Sequence, residues 1–292
     1  VIRYPLTDAD LRQKIEAQAP GWLKRAASRT ETFRRVGKYD EPSGIWSEVK
    51  PTYSALQHNK CGYCERKLAD AERGLIEHDV EHFRPKSEVK EWPSPEVRAA
   101  RKIDFATGGA SSTGYYLLPY HPWNYLVACK TCNSTLKSSA FPVAGRRDTA
   151  ADDPWKIAGE DPLLVYPLGD LDEDPAALLT FIGNLPVPTK TSGHAYERAR
   201  TVIAFFELDT REDLLEERAK WIQALWIALR LRATGDAADR KTADEAIALY
   251  TSPAAPHSRC ALAFRELAEH DPAEARAVAD KMTEYLASKG QA

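Results

Sequence analysis

Apolar residues recur at helical spacing from the start of the chain. Leu11, Ile15 and Trp22-Leu23 predict a helix over residues 6–29, opened by Thr7 with Asp10 three residues on. A second helical stretch is predicted over residues 43–57, where Trp46, Val49, Tyr53 and Leu56 share one side. These aromatics read as core, and Pro51 should kink or restart that helix. Residues 75–83 read as extended, because Pro85 forbids a helix continuing past His82. Residues 88–118 form an insertion rich in Pro, Gly and Ser, most flexible over 107–114. The aromatic run 115–127 should return as a strand or extended segment, and 133–139 suit a short helix ending before Pro142. The stretch 142–192 reads as irregular, with one short strand at 178–182. From about residue 193 the pattern is helical. Asp209 with Glu212 opens a long helix carrying Leu214, Trp221, Leu225 and Leu229, and Asp271-Pro272 with Glu274 opens the last one.

The expected class is therefore α+β. The expected organisation is an N-terminal helical segment (1–59), a central core (60–145), an irregular linker (146–192) and a helical C-terminal domain (193–292). With 292 residues, 43% hydrophobic and 28% charged, the chain is long enough to bury a sizeable core and has a globular composition. No apolar run approaches the roughly 18 residues of a membrane span, and no charged-then-apolar leader precedes Tyr4-Pro5, so a cytoplasmic protein without a membrane partner is expected.

Net charge is −3, which at first argues against a nucleic-acid partner. The distribution changes that reading. Residues 1–150 carry 24 Lys and Arg against 18 Asp and Glu, whereas the remainder carries 16 against 25. The basic half, which would attract phosphates, is the one that holds the informative cysteines.

Four of the five cysteines form two C-x-x-C pairs, Cys61-Gly62-Tyr63-Cys64 and Cys129-Lys130-Thr131-Cys132. Paired x₂ spacing across a long insertion predicts a closed, structural Zn²⁺ site with four thiolates, in which Gly62 eases the first tight turn. Cys260 reads as a buried small apolar residue. A closed tetrahedral site leaves no open coordination position, so any catalysis must come from neighbouring residues.

Those neighbours have the chemistry of phosphodiester hydrolysis, which needs a base for water and a hard cation with oxygen ligands. His82 is the candidate base, since its ordinary pKa lies near working pH. Glu81 and Asn133 offer oxygen atoms to Mg²⁺ or Mn²⁺, with Asp79 as a further candidate ligand. On a plain strand Glu81 and His82 face opposite sides, so this reading requires a bend there. Asn124 is the candidate to hold the other imidazole nitrogen and set the tautomer, while His121 reads as structural. Arg84, Lys86, Lys130 and Lys137 flank the motif as candidate phosphate contacts.

At Glu81-His82-Phe83-Arg84-Pro85, at Asn124 and at Cys129-Lys-Thr-Cys132-Asn133, the chain resembles the HNH endonuclease family with its ββα-metal fold. The resemblance implies His82 as general base, Glu81 and Asn133 on the catalytic cation, and Cys61, Cys64, Cys129 and Cys132 as zinc support. Across residues 60–142 the chain is also similar to a PtuB-like, Septu-type bacterial subgroup, through Cys61-Gly-Tyr-Cys-Glu65, Glu81-His-Phe-Arg-Pro-Lys-Ser87, Gly114-Tyr-Tyr116 and Phe141-Pro142. That subgroup implies a role in anti-phage defence and an ATPase partner; the expected substrate is nucleic acid, with DNA ahead of RNA. Two departures stand out: Glu81 occupies a position where many members have Asp, and the stretch from His82 to Asn124 is long.

Two other readings compete. His78-Asp-Val-Glu-His82 matches the H-x-x-E-H pattern of inverted zinc proteases, which works only on a helix; Val80, Phe83 and Pro85 oppose one, which makes His78 a core or strand residue. A non-cutting zinc module that binds nucleic acid or protein would need the cysteines but none of Glu81, His82, Asn124 or Asn133.

Overall fold

The computed structural model describes residues 1–68 and 78–289. The first predicted helix is two: α1 (Asp8–Gln18) and α2 (Trp22–Val36). The break falls at Pro20-Gly21, where Gly21 takes a left-handed φ of 74° and its N–H bonds the Glu16 carboxylate at 2.7 Å. Thr7 caps α1 as expected, accepting from the Asp10 N–H at 3.2 Å. A single 3₁₀ turn, Trp46–Val49, runs into α3 (Lys50–Leu56), which restarts with Pro51 in its first turn, where a missing N–H costs nothing.

The centre of the molecule is a two-stranded antiparallel sheet. Strand β1 (His78–His82) pairs with β2 (Tyr125–Cys129) in a register that sets Glu81 opposite Leu126 and His82 opposite Tyr125. This extended backbone removes the helix that the H-x-x-E-H pattern would need. His78 is a strand residue in its backbone; its side chain, and residues 75–77 of the expected extended segment, lie outside the described residues. The insertion between the strands carries a short helix, α4 (Pro95–Arg101), capped by Ser94. Directly after β2 comes a seven-residue π-helical turn, Thr131–Lys137.

Every residue of β2 is buried, and its far edge is satisfied by α3. The Gln57 side chain accepts from the Val127 N–H at 2.7 Å and donates to the Val127 carbonyl at 2.9 Å, completing the backbone pairing that a third strand would otherwise supply. The Gly62 N–H also reaches the Val127 carbonyl, at 3.0 Å. Gly62 is required for this close approach and not for a left-handed turn: a Cβ there would meet Leu126 Cδ1 at 2.8 Å, and Gly62 is absent from the positive-φ glycines.

Beyond the hairpin, α5 (Pro175–Leu178) leads into β3 (Leu179–Ile182), which turns back through Gly183-Asn184 into β4 (Leu185–Pro188). The expected lone strand at 178–182 is thus half of a hairpin, with Gly183 at φ 58° in its two-residue turn. Helices α6 (Gly193–Phe205), α7 (Glu212–Thr234), α8 (Ala237–Thr251), α9 (Ser258–His270) and α10 (Pro272–Lys289) follow. One apolar core gathers α1–α3, the central hairpin, residues 164–168 and α6; a second lies among α7–α10. Helix α7 joins them, burying Leu214 in the first core and Ile222 and Leu225 in the second. Among the described residues the architecture is α+β, mostly helical with two small sheets. No helix among the described residues is long and apolar enough to cross a membrane.

Candidate metal centre and adjoining cleft

The two C-x-x-C pairs converge as their spacing predicts. The Sγ atoms of Cys61, Cys64, Cys129 and Cys132 all lie within 4.8 Å of one another, and all four residues are buried. With Zn–S bonds near 2.3 Å, a tetrahedral site has sulfur–sulfur edges of about 3.8 Å. The Cys64–Cys129 separation is 3.9 Å. A four-sulfur donor set of this size and depth fits Zn²⁺. Arg211, at the start of α7, donates to Cys132 Sγ at 3.4 Å and adds a positive charge against the thiolates from a distant part of the chain.

The cage ties three segments together: the turn after α3, the end of β2 and the π-helical turn. Asn133 directly follows Cys132, so the cage brings it to the free edge of β1. There a cleft of about 430 Å³ is lined by Asp79, Glu81, His82, Lys86 and Asn133, with Trp46, Lys50 and several serines. Glu81 and His82 both reach it although they alternate along a regular strand. Both line the cleft while β1 stays regular through His82, so the expected bend does not fall at Glu81-His82; the chain bends one residue later, at Phe83-Arg84.

His82 is buried, and its Nε2 lies 3.1 Å from the Pro119 carbonyl, which also accepts from the Tyr125 hydroxyl. A carbonyl only accepts, so Nε2 carries the proton and Nδ1 is the basic nitrogen. The imidazole is boxed edge-on by Trp46, with ring centroids 5.0 Å apart, and by Tyr125 at 5.1 Å. Burial, with the nearby Lys86 charge, holds its pKa well below the ordinary histidine value, so it is neutral at physiological pH.

Asn124 does not take the role expected of it. Its amide is fully buried and grips backbone only: Oδ1 accepts from the Arg84 N–H at 2.8 Å, while Nδ2 donates to the carbonyls of Arg84 (3.0 Å) and Leu118 (3.1 Å). It anchors the bend that follows His82 and the loop that supplies Pro119. The partner that fixes the tautomer is the Pro119 carbonyl, a backbone group with no signature in a sequence.

Three of the four flanking basic residues are turned onto carboxylates. Lys137 is fully buried; its ammonium pairs with Glu81 and donates to the His82 carbonyl at 3.0 Å. Burial raises the Glu81 carboxyl above its ordinary range despite this partner. Lys130 pairs with Asp79, and the buried Arg84 pairs with Glu160 at 2.7 Å, with its guanidinium over Phe141. Helical spacing brings Lys137 beneath the cleft, but only the folded structure shows that it faces inward. His121 caps the turn before β2, accepting from the Trp123 N–H at 3.2 Å, in keeping with a structural role. Cys260 is fully buried in the second core, as expected of a small apolar residue.

As to a second metal, Glu81 and Asn133 both line the cleft and carry carboxylate and amide oxygens, the donor type that hard cations take. Among the described residues, the cysteine cage is the one group of three or more His, Cys, Asp or Glu close enough to hold an ion. A cation in the cleft would thus have few protein ligands and keep much of its water shell, and it would share Glu81 with Lys137.

No protein-family model matches this sequence, and no solved structure matches it. Among curated proteins, the chain is 27% identical over 215 residues, 74% of its length, to a protein of Bacillus mycoides (strain KBAB4). It spans 62% of the length of that relative. The chain is, on this comparison, similar to the protein named Septu protein PtuB.

Proposed function

We propose that the chain is a metal-dependent HNH-type endonuclease that hydrolyses phosphodiester bonds of nucleic acid, DNA by preference, as an effector of anti-phage defence. The observation that carries this reading is the position of His82: a buried, neutral imidazole whose Nε2 is held by a carbonyl and whose basic nitrogen is left for a water. Glu81 and Asn133 line the same cleft and would hold one Mg²⁺ or Mn²⁺. Such a cation, when bound, neutralises charge developing on the scissile phosphate and the departing oxygen. His82 would accept the proton of the attacking water, and Lys137 would keep Glu81 in its carboxylate form. The order strand, strand, helical turn around this cleft supports a ββα-metal core. The Zn²⁺ in the cysteine cage would be structural, placing Asn133 opposite Glu81. Similarity to Septu protein PtuB supports the defence role, with an ATPase as the proposed protein partner.

One observation favours a second reading, a non-cutting zinc module: Glu81 is already neutralised by Lys137. Incubation of the zinc-loaded chain with supercoiled plasmid and with RNA, with or without added Mg²⁺, separates the two. Cleavage only in Mg²⁺ is expected; intact substrates under all conditions would leave the binding module.

A further inference from the structure

Lys86 differs from Arg84, Lys130 and Lys137 in having no carboxylate within ion-pairing distance among the described residues. Arg84, Lys130 and Lys137 are each committed to an acidic side chain. Lys86 is instead held by aromatic faces, its ammonium 4.6 Å from the Trp46 ring centroid and 5.6 Å from that of Tyr39. It lines the cleft together with Glu81 and His82.

Both parts of this clamp are fixed from behind. Gly44 packs so close to the indole that a Cβ there would fall 1.9 Å from Trp46 Cζ3. The same indole meets His82 edge-on, which couples the position of the ammonium to that of the imidazole. The backbone at Lys86 is also held. Tyr115 N–H bonds the Pro85 carbonyl at 2.8 Å and Gly114 N–H bonds the Ser87 carbonyl at 3.0 Å. A Cβ on Gly114 would lie 2.5 Å from the Lys86 carbonyl carbon. The long insertion thus returns to brace the segment that carries Lys86, a role its sequence did not disclose.

We infer that Lys86, clamped by Trp46 and Tyr39, is a phosphate-positioning residue: it receives a nucleic-acid backbone phosphodiester and sets it beside His82. This rests on the reading of the cleft as a phosphodiester site. The charge balance is consistent with an anionic ligand. Among the described residues the cleft's two carboxylates, Asp79 and Glu81, are each paired with a lysine, and Lys86 adds a further ammonium group to its lining. A cation held over an aromatic face loses part of its hydration, which favours a direct contact to phosphate oxygen over one through water.

Binding is measured on the zinc-loaded chain without added Mg²⁺ or Mn²⁺, where no cleavage is expected, by fluorescence anisotropy with a labelled 20-base-pair DNA duplex and, separately, an RNA hairpin of equal length across a salt series. Lys86→Met is expected to weaken binding roughly tenfold, and to reduce the slope of log affinity against log salt by about 0.9, the release from one phosphate contact. Lys86→Arg should keep the slope, and Trp46→Leu should weaken binding with the slope retained. A structural role for Lys86 would lower melting temperature or zinc content and leave the slope alone, so both are measured alongside. An unchanged slope in Lys86→Met, or no binding of either probe by the wild type, overturns the inference. Lys86-dependent binding with no cleavage in Mg²⁺ would instead overturn the nuclease reading and leave the subsite standing.

Discussion

Replacing Lys137 by Met tests the charge arrangement beneath the cleft. Lys137 and Glu81 are 0% and 3% exposed, so neither charge has water to fall back on. Removing one partner of such a pair generally costs about 3–5 kcal/mol. Glu81 has an escape, however, because it can take up a proton, and the cost of that depends on pH. From an ordinary carboxyl value of 4.5, protonation at pH 7 costs about 3.4 kcal/mol, and at pH 5 about 0.7. Met nearly matches the Lys stem in volume, so the cavity term is small. In the variant the folded-state pKa of Glu81 rises further above its unfolded value. Stability is then intact below the unfolded pKa and is lost as pH rises toward the folded one. Urea unfolding of zinc-loaded wild type and Lys137→Met at pH 5 and pH 7 should therefore show a destabilisation near 3 kcal/mol at pH 7 that shrinks by roughly 2–3 kcal/mol at pH 5. Adding Glu81→Gln to the variant should abolish the pH dependence. A loss of stability equal at the two pH values would refute the pairing of these two groups as the source of the effect.

Cys61→Ser should abolish stoichiometric zinc and destabilise the chain, since a structural site contributes its binding energy to folding; metal analysis and melting temperature check this. Asn124→Leu leaves the Arg84 N–H and the Arg84 carbonyl without partners and removes one of the two donors to the Leu118 carbonyl, and should lower stability by about 2–4 kcal/mol while zinc content is unchanged. His121 is held by burial at about 4, against the opposing influence of Asp153 and Asp8 and with Arg12 pushing the same way as burial. Its contribution is present above the unfolded value near 6.5 and is lost as pH falls toward 4, up to about 3 kcal/mol. Melting curves from pH 7 to pH 4 should accordingly be shallower in His121→Gln.

What could be read from the chain was what is local in it. C-x-x-C spacing is a four-residue pattern, and two copies on either side of a long insertion imply that the insertion's ends meet; they do, at the cysteine cage. Pro51, Pro85 and Thr7 acted on the backbone next to them, as their chemistry dictates. The helix over 6–29 was broken by Pro20-Gly21, a local signal outweighed by the apolar spacing around it. The functions of Lys137, Arg211 and Pro119 were illegible for a different reason. A lysine on a polar helical turn looks solvated until a buried carboxylate is placed opposite it, and a backbone carbonyl has no residue type to announce it. Asn124 lay in the right place for a catalytic amide, yet burial required its hydrogen bonds for the backbone of Arg84 and Leu118.

The division of labour between cysteine cage and cleft is tested most directly by the rate of plasmid cleavage under single-turnover conditions in Mg²⁺, for wild type and His82→Ala matched in zinc content and melting temperature. A general base contributes about 10²–10⁴ in rate, so His82→Ala should be slower by at least about a hundredfold. Equal rates in the two proteins would contradict the account.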